Sequence, residues 1–474
     1  MSNPAPEKIK DTMADSRLQL AIYAATGRLM QKRADSVGAD HLPEYQELRT
    51  QANAIKKHTI ENLDAYLEQF ERVVASHGGK VVFCDDAAEV ADFVLRLAKD
   101  RKARLIVKSK SMTTEEIDLN EHLHEHGLEA VETDLGEYII QLAHERPYHI
   151  VAPALHMTRY QVADLFTEKL GVDKEVVIEK QTMIARGVLR DKFLAADIGI
   201  TGANFLVADS GAVVLVENEG NARLSSSAPK IQIAIAGIEK MIPRAQDLAT
   251  FLKLLGRSAT GQPMTVYTSF LSGPRREGEI DGPEEFYVVL LDNGRTKLLA
   301  DPEKRQSLYC IRCGACLNHC PVYRKIGGHN YPWVYSGPIG AIITPQFHGV
   351  SKDPWLPFAS SLCGACAEVC PVKIEIPKLL LQLRSEVVAA KKSEAKSGME
   401  RFAFRMYAWL ARHPKLYAFS GSLAGRFAPR DRTTGDLKLP GFLIPSPLKE
   451  WLSQRELRAP ARKSFRQLWR ERSK

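Results

Sequence analysis

The spacing of apolar residues divides this chain before any motif is considered. Up to about residue 75 they recur at helical intervals, through Leu18, Leu20, Ile22 and Tyr23 and again through Leu63, Tyr66, Leu67 and Phe70. The period shortens near Lys80. Val81-Val82-Phe83-Cys84 is a short apolar run behind a Gly-Gly turn and predicts a strand. Residues 87–100 predict an amphipathic helix and 105–107 a second strand. Strand and helix alternate on to about Pro243, with further strands at 213–216 and 231–235. Such alternation predicts a largely parallel sheet covered by helices. Residues 271–285, rich in Gly, Pro and charge, predict a connector. A strand at 286–291 then meets Asp292-Asn293-Gly294, a hairpin-type turn. Residues 389–399 (AAKKSEAKSGM) predict a solvated linker, and 399–412 an aromatic helix with Arg401, Arg405 and Arg412 along one side. Four regions are therefore expected: helical 1–75, α/β 76–300, cysteine-rich 301–388 and basic helical 389–474.

Charge sharpens that last boundary. The 474 residues carry a net +8, but residues 391–474 hold 20 Lys and Arg against 7 Asp and Glu, a net +13, which leaves the body at −5. A basic tail on an acidic body predicts an anionic partner: an acidic protein, a membrane surface or, with no binding module to support it, nucleic acid. The aromatic helix favours burial against a partner or the protein's own core over a membrane surface. The N-terminal segment MSNPAPEKIKD has no apolar core of a secretory signal, and no stretch approaches 18 unbroken apolar residues. A cytoplasmic location, with membrane association through the tail as a variant, is the expectation.

Seven of the eight cysteines fall between Cys310 and Cys370. Cys310-x2-Cys313-x2-Cys316-x3-Cys320-Pro321 is the ferredoxin-type run, in which three thiolates on one tight turn reach three corners of a cubane. Cys363-x2-Cys366-x3-Cys370-Pro371 repeats it with Ser360 where the first cysteine would stand. In two-cluster arrangements the last cysteine of each run serves the other cluster. That assigns Cys310, Cys313, Cys316 and Cys370 to a complete first [4Fe–4S] cluster. Cys320, Cys363 and Cys366 hold three irons of a second, whose fourth iron takes a non-cysteine ligand or is absent ([3Fe–4S]). Zinc is the competing reading, but it favours separate C-x2-C pairs over a triple run. The 42 residues between the motifs carry Tyr331, Trp333, Tyr335, Gly337, Pro338 and Gly340, an expected hydrophobic lid over the clusters. Cys84, alone in a predicted core strand, reads as buried and inert.

The central third resembles the LUD (lactate-utilisation) domain family. The resemblance rests on Val107-Lys108-Ser109-Lys110-Ser111-Met112, Glu132-Thr133-Asp134-Leu135-Gly136-Glu137, the stretch from His149 to His156 (HIVAPALH), and Glu217-Asn218-Glu219-Gly220-Asn221-Ala222-Arg223. With the cysteine region and basic tail attached, the whole chain is similar to the iron–sulfur subunits of a three-part L-lactate oxidation system. The resemblance implies the layered α/β fold of sugar-phosphate isomerases and CoA transferases, joined to an α-helical ferredoxin-type two-cluster domain. It also implies work beside a second cysteine-rich subunit and a small LUD-only subunit, oxidising L-lactate to pyruvate, with this chain as electron carrier.

Within the α/β region several polar residues are candidates for holding a hydroxy acid. Lys108 and Lys110 share a side if their segment is extended and suit a carboxylate. Glu132, Asp134 and Glu137 form an acidic group, and His149 and His156 are candidate general bases. The 199–204 turn after Asp197 is a candidate anion site. Glu217, Asn218, Glu219 and Asn221 lie at a strand end, where open α/β sheets bind ligands. Each has a bland alternative as a satisfied core or surface group, and the turn lacks a dinucleotide fingerprint. Three functions follow: an electron-transfer subunit, a self-sufficient 2-hydroxy-acid oxidoreductase, or a non-catalytic iron–sulfur sensor or scaffold.

Overall fold

The computed structural model describes residues 6–390, 398–431, 433–438, 455 and 457–472. The chain forms two compact units, Met1–Ala390 and Lys391–Lys474.

The first unit begins with four helices, Pro6–Ala14, Ser16–Val37, Tyr45–Glu61 and Leu63–Ser76. Asp15 caps the second by accepting the Arg17 and Leu18 backbone N–H groups at 3.0 Å. Phe70 of the fourth is wholly buried, and Leu63 nearly so; of the earlier stripe only Ile22 is buried, while Leu20 and Tyr23 are exposed. These helices brace the cysteine region far along the chain. Arg49 donates to the Cys370 and Ala367 carbonyls, Arg33 to that of Val369, and Asn53 to that of Val372.

A six-stranded sheet follows, built from β1 (Lys80–Cys84), β2 (Leu105–Lys108), β3 (Glu129–Glu132), β4 (Ile198–Thr201), β7 (Ile231–Gly237) and β10 (Glu285–Leu291). Its order is β1-β10-β7-β4-β2-β3 and every pairing is parallel. Near-continuous apolar runs such as Ile231-Gln232-Ile233-Ala234-Ile235 suit such a sheet, buried on both faces. One face packs on the helix Ala87–Asp100, through Val90 and Val94; the other covers Phe70 and Val74.

Two expectations need correcting. The strand expected at 213–216 is β6 (Ala212–Glu217), but it lies outside the parallel sheet. It pairs antiparallel with β5 (Phe205–Val207) and β9 (Tyr267–Leu271), in a second sheet completed by β8 (Met241–Ile242). Gly211, at φ +64°, makes the tight β5–β6 turn that sends the chain straight back. The Asp292-Asn293-Gly294 turn is not a hairpin either. Because β10 is flanked by β1 and β7, no edge is free for a returning strand. The Asp292 carboxylate instead accepts the Gly294 and Thr296 N–H groups and starts the helix Arg295–Leu299.

From Arg305 the unit is built of short helices around the cysteines, with Gly337–His348 and Ile376–Ala390 the longest. Tyr331, Trp333 and Tyr335 are buried there. This region is tied to the sheet by one buried network. The Arg295 guanidinium donates to Glu116 at 2.8 and 2.9 Å and to Glu239 at 2.5 Å; Tyr335 donates to Glu116 at 2.7 Å. Glu239 also pairs with Arg312 at 3.4 Å.

The second unit has helices Gly398–Arg412, Pro414–Phe427 and Phe465–Arg472. The first covers the expected aromatic helix. The second, with Pro414 in its first turn, was not apparent from the pattern. The core of the expected linker, 391–397, lies outside the described residues.

Removing the centre of the buried network leaves two carboxylates without a cation. Arg295→Met is expected to destabilise the unit by roughly 3–5 kcal/mol, measured by oxygen-free denaturant unfolding. Lys192→Met, at an exposed ion pair with Glu129, is expected to change stability by under about 1 kcal/mol.

Candidate iron–sulfur site and adjoining cavity

The two cysteine motifs fold alike, residue for residue. Arg312 and Leu362 take left-handed φ values of +59° and +54°, and Gly314 and Gly364 of +73° and +85°. Each motif then starts a short helix, Ala315–His319 or Ala365–Glu368. The Arg312 N–H donates to Cys310 Sγ at 3.4 Å, and in the same place the Leu362 N–H donates to Ser360 Oγ at 3.1 Å. The serine thus occupies the missing cysteine's position in conformation as well as in sequence. Glycine is required at Gly314 for a second reason: a Cβ there would lie 3.0 Å from the His149 ring.

The seven thiols fall into two sets. One cavity is lined by Cys310, Cys313, Cys316 and Cys370 together, with Ile150, Ile339 and Ile376 among its apolar walls. Cys320, Cys363 and Cys366 are mutual electrostatic neighbours outside it. Burial, reinforced by neighbouring thiols, pushes Cys313 and Cys366 up to about 12 and Cys370 up to about 11. Backbone N–H groups oppose this; Tyr323 donates to Cys320 Sγ and Ile374 to Cys370 Sγ, both at 3.4 Å. Among the described residues no three cysteine sulfurs lie within 4.8 Å of one another. A tetrahedral zinc with bonds of ~2.3 Å would draw its sulfurs to about 3.8 Å apart. The spread suits a cubane, whose corners keep thiolates further apart, and apolar walls suit a cofactor that must stay dry.

A second cavity, of about 320 Å³, opens beside the first cysteine turn. Its walls come from the C-terminal ends of β2, β3 and β4, from the end of β6, and from Lys240, Ile311, Arg312 and Tyr335. It gathers Lys110, Asp134, Glu217, Asn218, Glu219 and Asn221 of the residues expected from sequence, together with Gly202 and Asn204 of the expected turn. The other candidates do not line it. The Lys108 ammonium is buried between Glu132 and Glu115, at 2.5 and 2.8 Å. Burial works against its charge, but the two carboxylates more than offset this and raise its pKa. Lys108 and Glu132 therefore neutralise each other inside the fold rather than meeting a ligand. His156 stacks on Tyr148 and bonds Glu145 at 2.7 Å, beside His329.

His149 is buried against Gly314 and Tyr323. Its Nδ1 accepts the Val151 and Ala152 N–H groups, which leaves the ring proton on Nε2. Burial, and then the charge of Lys110, push it down to about 3. A ring so placed is neutral at any ordinary pH and packs the cysteine turn instead of serving as a base.

Two cavity residues escaped the sequence reading. Arg312 sits inside the first cysteine motif, where its position was a usable signal. Lys240 carried none, since it lies in an unremarkable Ile-Glu-Lys-Met run. Burial, and then the positive charge of Arg312, lower Lys240 to about 8.

Comparison with known families accords with this arrangement. Residues 67–291 match the LUD domain family, 306–374 the family described as a 4Fe–4S dicluster domain, and 382–474 that described as lactate utilisation protein B, C-terminal. Curated lactate utilization protein B from Bacillus velezensis is 44% identical over 99% of this chain and 97% of its own. The chain belongs to the lactate utilization protein B family. Its members from Bacillus cytotoxicus and Bacillus thuringiensis are 45% and 44% identical, each over 99% of this chain and 97% of theirs. A solved DUF162 family protein from Deinococcus radiodurans aligns over 48% of this chain and 98% of that one, at 12% identity and a TM-score of 0.28, too low to assign a shared fold. The dicluster match and the clustered thiols together identify an iron–sulfur cofactor.

The buried neutral ring of His149 has a pH consequence. Its pKa is lower folded than unfolded, so the unfolded chain takes up the proton first. Its contribution to stability is complete above about pH 6.5 and falls away toward pH 3, at up to about 1.4 kcal/mol per pH unit. Oxygen-free unfolding between pH 7.5 and 5 is expected to show this slope, and His149→Gln to remove that part of it.

Proposed function

We propose that this chain is the electron-carrying iron–sulfur subunit of a system that oxidises L-lactate to pyruvate. It holds two clusters and works with a cysteine-rich subunit and a small LUD-only subunit. The observation that carries the reading is the division of seven thiols into a set of four around one apolar cavity and a neighbouring set of three. Bound there, iron–sulfur clusters supply reversible one-electron storage. The chain's own residues do the rest. Cys310, Cys313, Cys316 and Cys370 hold the first cluster, and Cys320, Cys363 and Cys366 the second. Backbone N–H groups aimed at sulfur stabilise negative charge, and Ile150, Ile339 and Ile376 keep water out. Cys363 is exposed, so the second site faces outward and is the natural point of exchange with a partner.

Ser360 stands where a fourth ligand is needed, and its Oγ already takes the hydrogen bond that Cys310 Sγ takes in the first motif. We assign it the fourth iron of the second cluster. In the C-terminal unit, the helix Gly398–Arg412 exposes Phe402, Phe404, Tyr407 and Trp409 among its arginines. That mixture fits an acidic, partly apolar protein surface. Among the described residues no helix is long and apolar enough to cross a membrane.

Oxygen-protected protein is expected to carry iron and acid-labile sulfide for two clusters, both reducible by dithionite. L-lactate alone should leave them oxidised until the partner subunits are added. Reduction by lactate without partners would replace this reading with a self-sufficient oxidoreductase, and clusters silent between about −700 and +450 mV with a sensor or scaffold. For the serine, Ser360→Ala is expected to convert one cluster to a three-iron EPR signal and Ser360→Cys to retain two four-iron clusters. A Ser360→Ala spectrum identical to wild type would remove the serine assignment.

A further inference from the structure

The cavity beside the first cysteine turn sorts its charges in an informative way. Its acids are occupied. Asp134 accepts the Gly136 and Glu137 N–H groups, Glu217 those of Ala222 and Arg223 at 2.8 Å, and Glu219 that of Leu135 at 3.2 Å. Its cations keep spare donors. Lys110 Nζ is shielded from water and makes no hydrogen bond, with its nearest carboxylate, Glu137, 3.8 Å away. The Arg312 side chain is more than nine-tenths buried; its Nη2 reaches Glu239, while Nη1 has no hydrogen-bond partner among the described residues. Lys240 is 9% exposed, and among the described residues its ammonium makes no hydrogen bond or ion pair. The unpartnered buried atoms on these charged walls, Lys110 Nζ and Arg312 Nη1, are therefore both donors, and buried donors without acceptors are costly. A ligand that completes the cavity must bring oxygen acceptors and negative charge.

Size and position narrow the class. About 320 Å³ is at the small end of ligand pockets. The mouth lies at the C-terminal ends of parallel strands, where α/β sheets bind small molecules. We propose that this cavity binds a small carboxylate with an oxygen on the adjacent carbon, a 2-hydroxy or 2-oxo acid, through Lys110, Lys240 and Arg312. The proposal rests on the electron-carrier reading for what its occupant means. Arg312 belongs to both sites: its side chain faces the cavity, and its backbone N–H donates to Cys310 Sγ at 3.4 Å. An anion there makes electron gain at the first cysteine set less favourable, so occupancy lowers the midpoint potential. By reciprocity the acid binds more tightly to oxidised than to reduced protein.

Calorimetric titration of the anaerobically purified full chain with L-lactate and with pyruvate tests the site. Propionate, which lacks the second oxygen, and chloride serve as controls. Both acids are expected to bind, propionate more weakly and chloride not at all. Lys110→Met and Lys240→Met should each weaken binding at least about tenfold with iron content unchanged, while Lys192→Met, outside the cavity, should not. Should Lys240→Met lose its clusters, Lys110→Met, in a separate segment, carries the test. An EPR-monitored redox titration should show one cluster's potential lowered by pyruvate in wild type and unmoved in Lys110→Met. The proposal is overturned if wild type binds neither acid, or if both cavity variants bind as wild type does. Clusters that titrate normally in protein that binds no acid would sink the cavity alone; acid binding to redox-silent clusters would keep the cavity and remove the electron-carrier reading.

Discussion

Thiols crowded into a water-poor interior, as Cys313, Cys320, Cys366 and Cys370 are, cannot ionise together unless cations compensate them. Burial, reinforced by neighbouring thiols, pushes Cys313, Cys316, Cys366 and Cys370 upward, and the helix-starting turns, with their left-handed Gly314 and Gly364, offer only partial relief through backbone N–H groups. Iron supplies the missing charge. Folding of the region and loading of its iron–sulfur cofactor are therefore coupled, as they are wherever deprotonated ligands converge on metal. The rest of the first unit is arranged around this demand. The N-terminal helices reach across more than 300 residues of sequence to bind the carbonyls around Cys370, and the buried Tyr331 lies near Cys316 and Cys320.

The second constraint is the ionic network at the sheet's end. Glu116 and Glu239 are far apart in sequence, yet Arg295 joins them, and Glu239 holds Arg312 of the first cysteine motif. Burial alone would raise Glu239, but Arg295 and then Arg312 hold it at about 2. It is thus a permanent anion that steadies two arginines at the border between sheet and cysteine turn. Such a link fixes the distance between the strand-end cavity and the thiols, which a flexible tether between two domains would not.

Much of this was legible in the sequence because it is local. The parallel sheet follows from short apolar runs alternating with amphipathic helices; 87–100 is helical to the residue. The two motifs announce iron through spacing, since three thiolates on one turn have few other uses. Lys110, Asp134 and the residues from Glu217 to Asn221 lie in loops after strands, where topology makes ligand sites, and they meet in one cavity.

Local sequence settles the chemistry available: which side chains, at which spacing, on which kind of element. Tertiary structure alone decided which of them are spent. Lys108 and Lys110 look equivalent in a six-residue stretch, but β2 ends at Lys108, which is buried against Glu115 and Glu132, and Lys110 lies past the strand's end, where it lines the cavity. His149 and His156 both look like bases; burial makes the first permanently neutral, and the second is held by Glu145 away from the cavity. Lys240 and the strand pairing of β6 left no local mark. A charge gains or loses its partner, and a strand its sheet, only when segments distant in sequence are packed together.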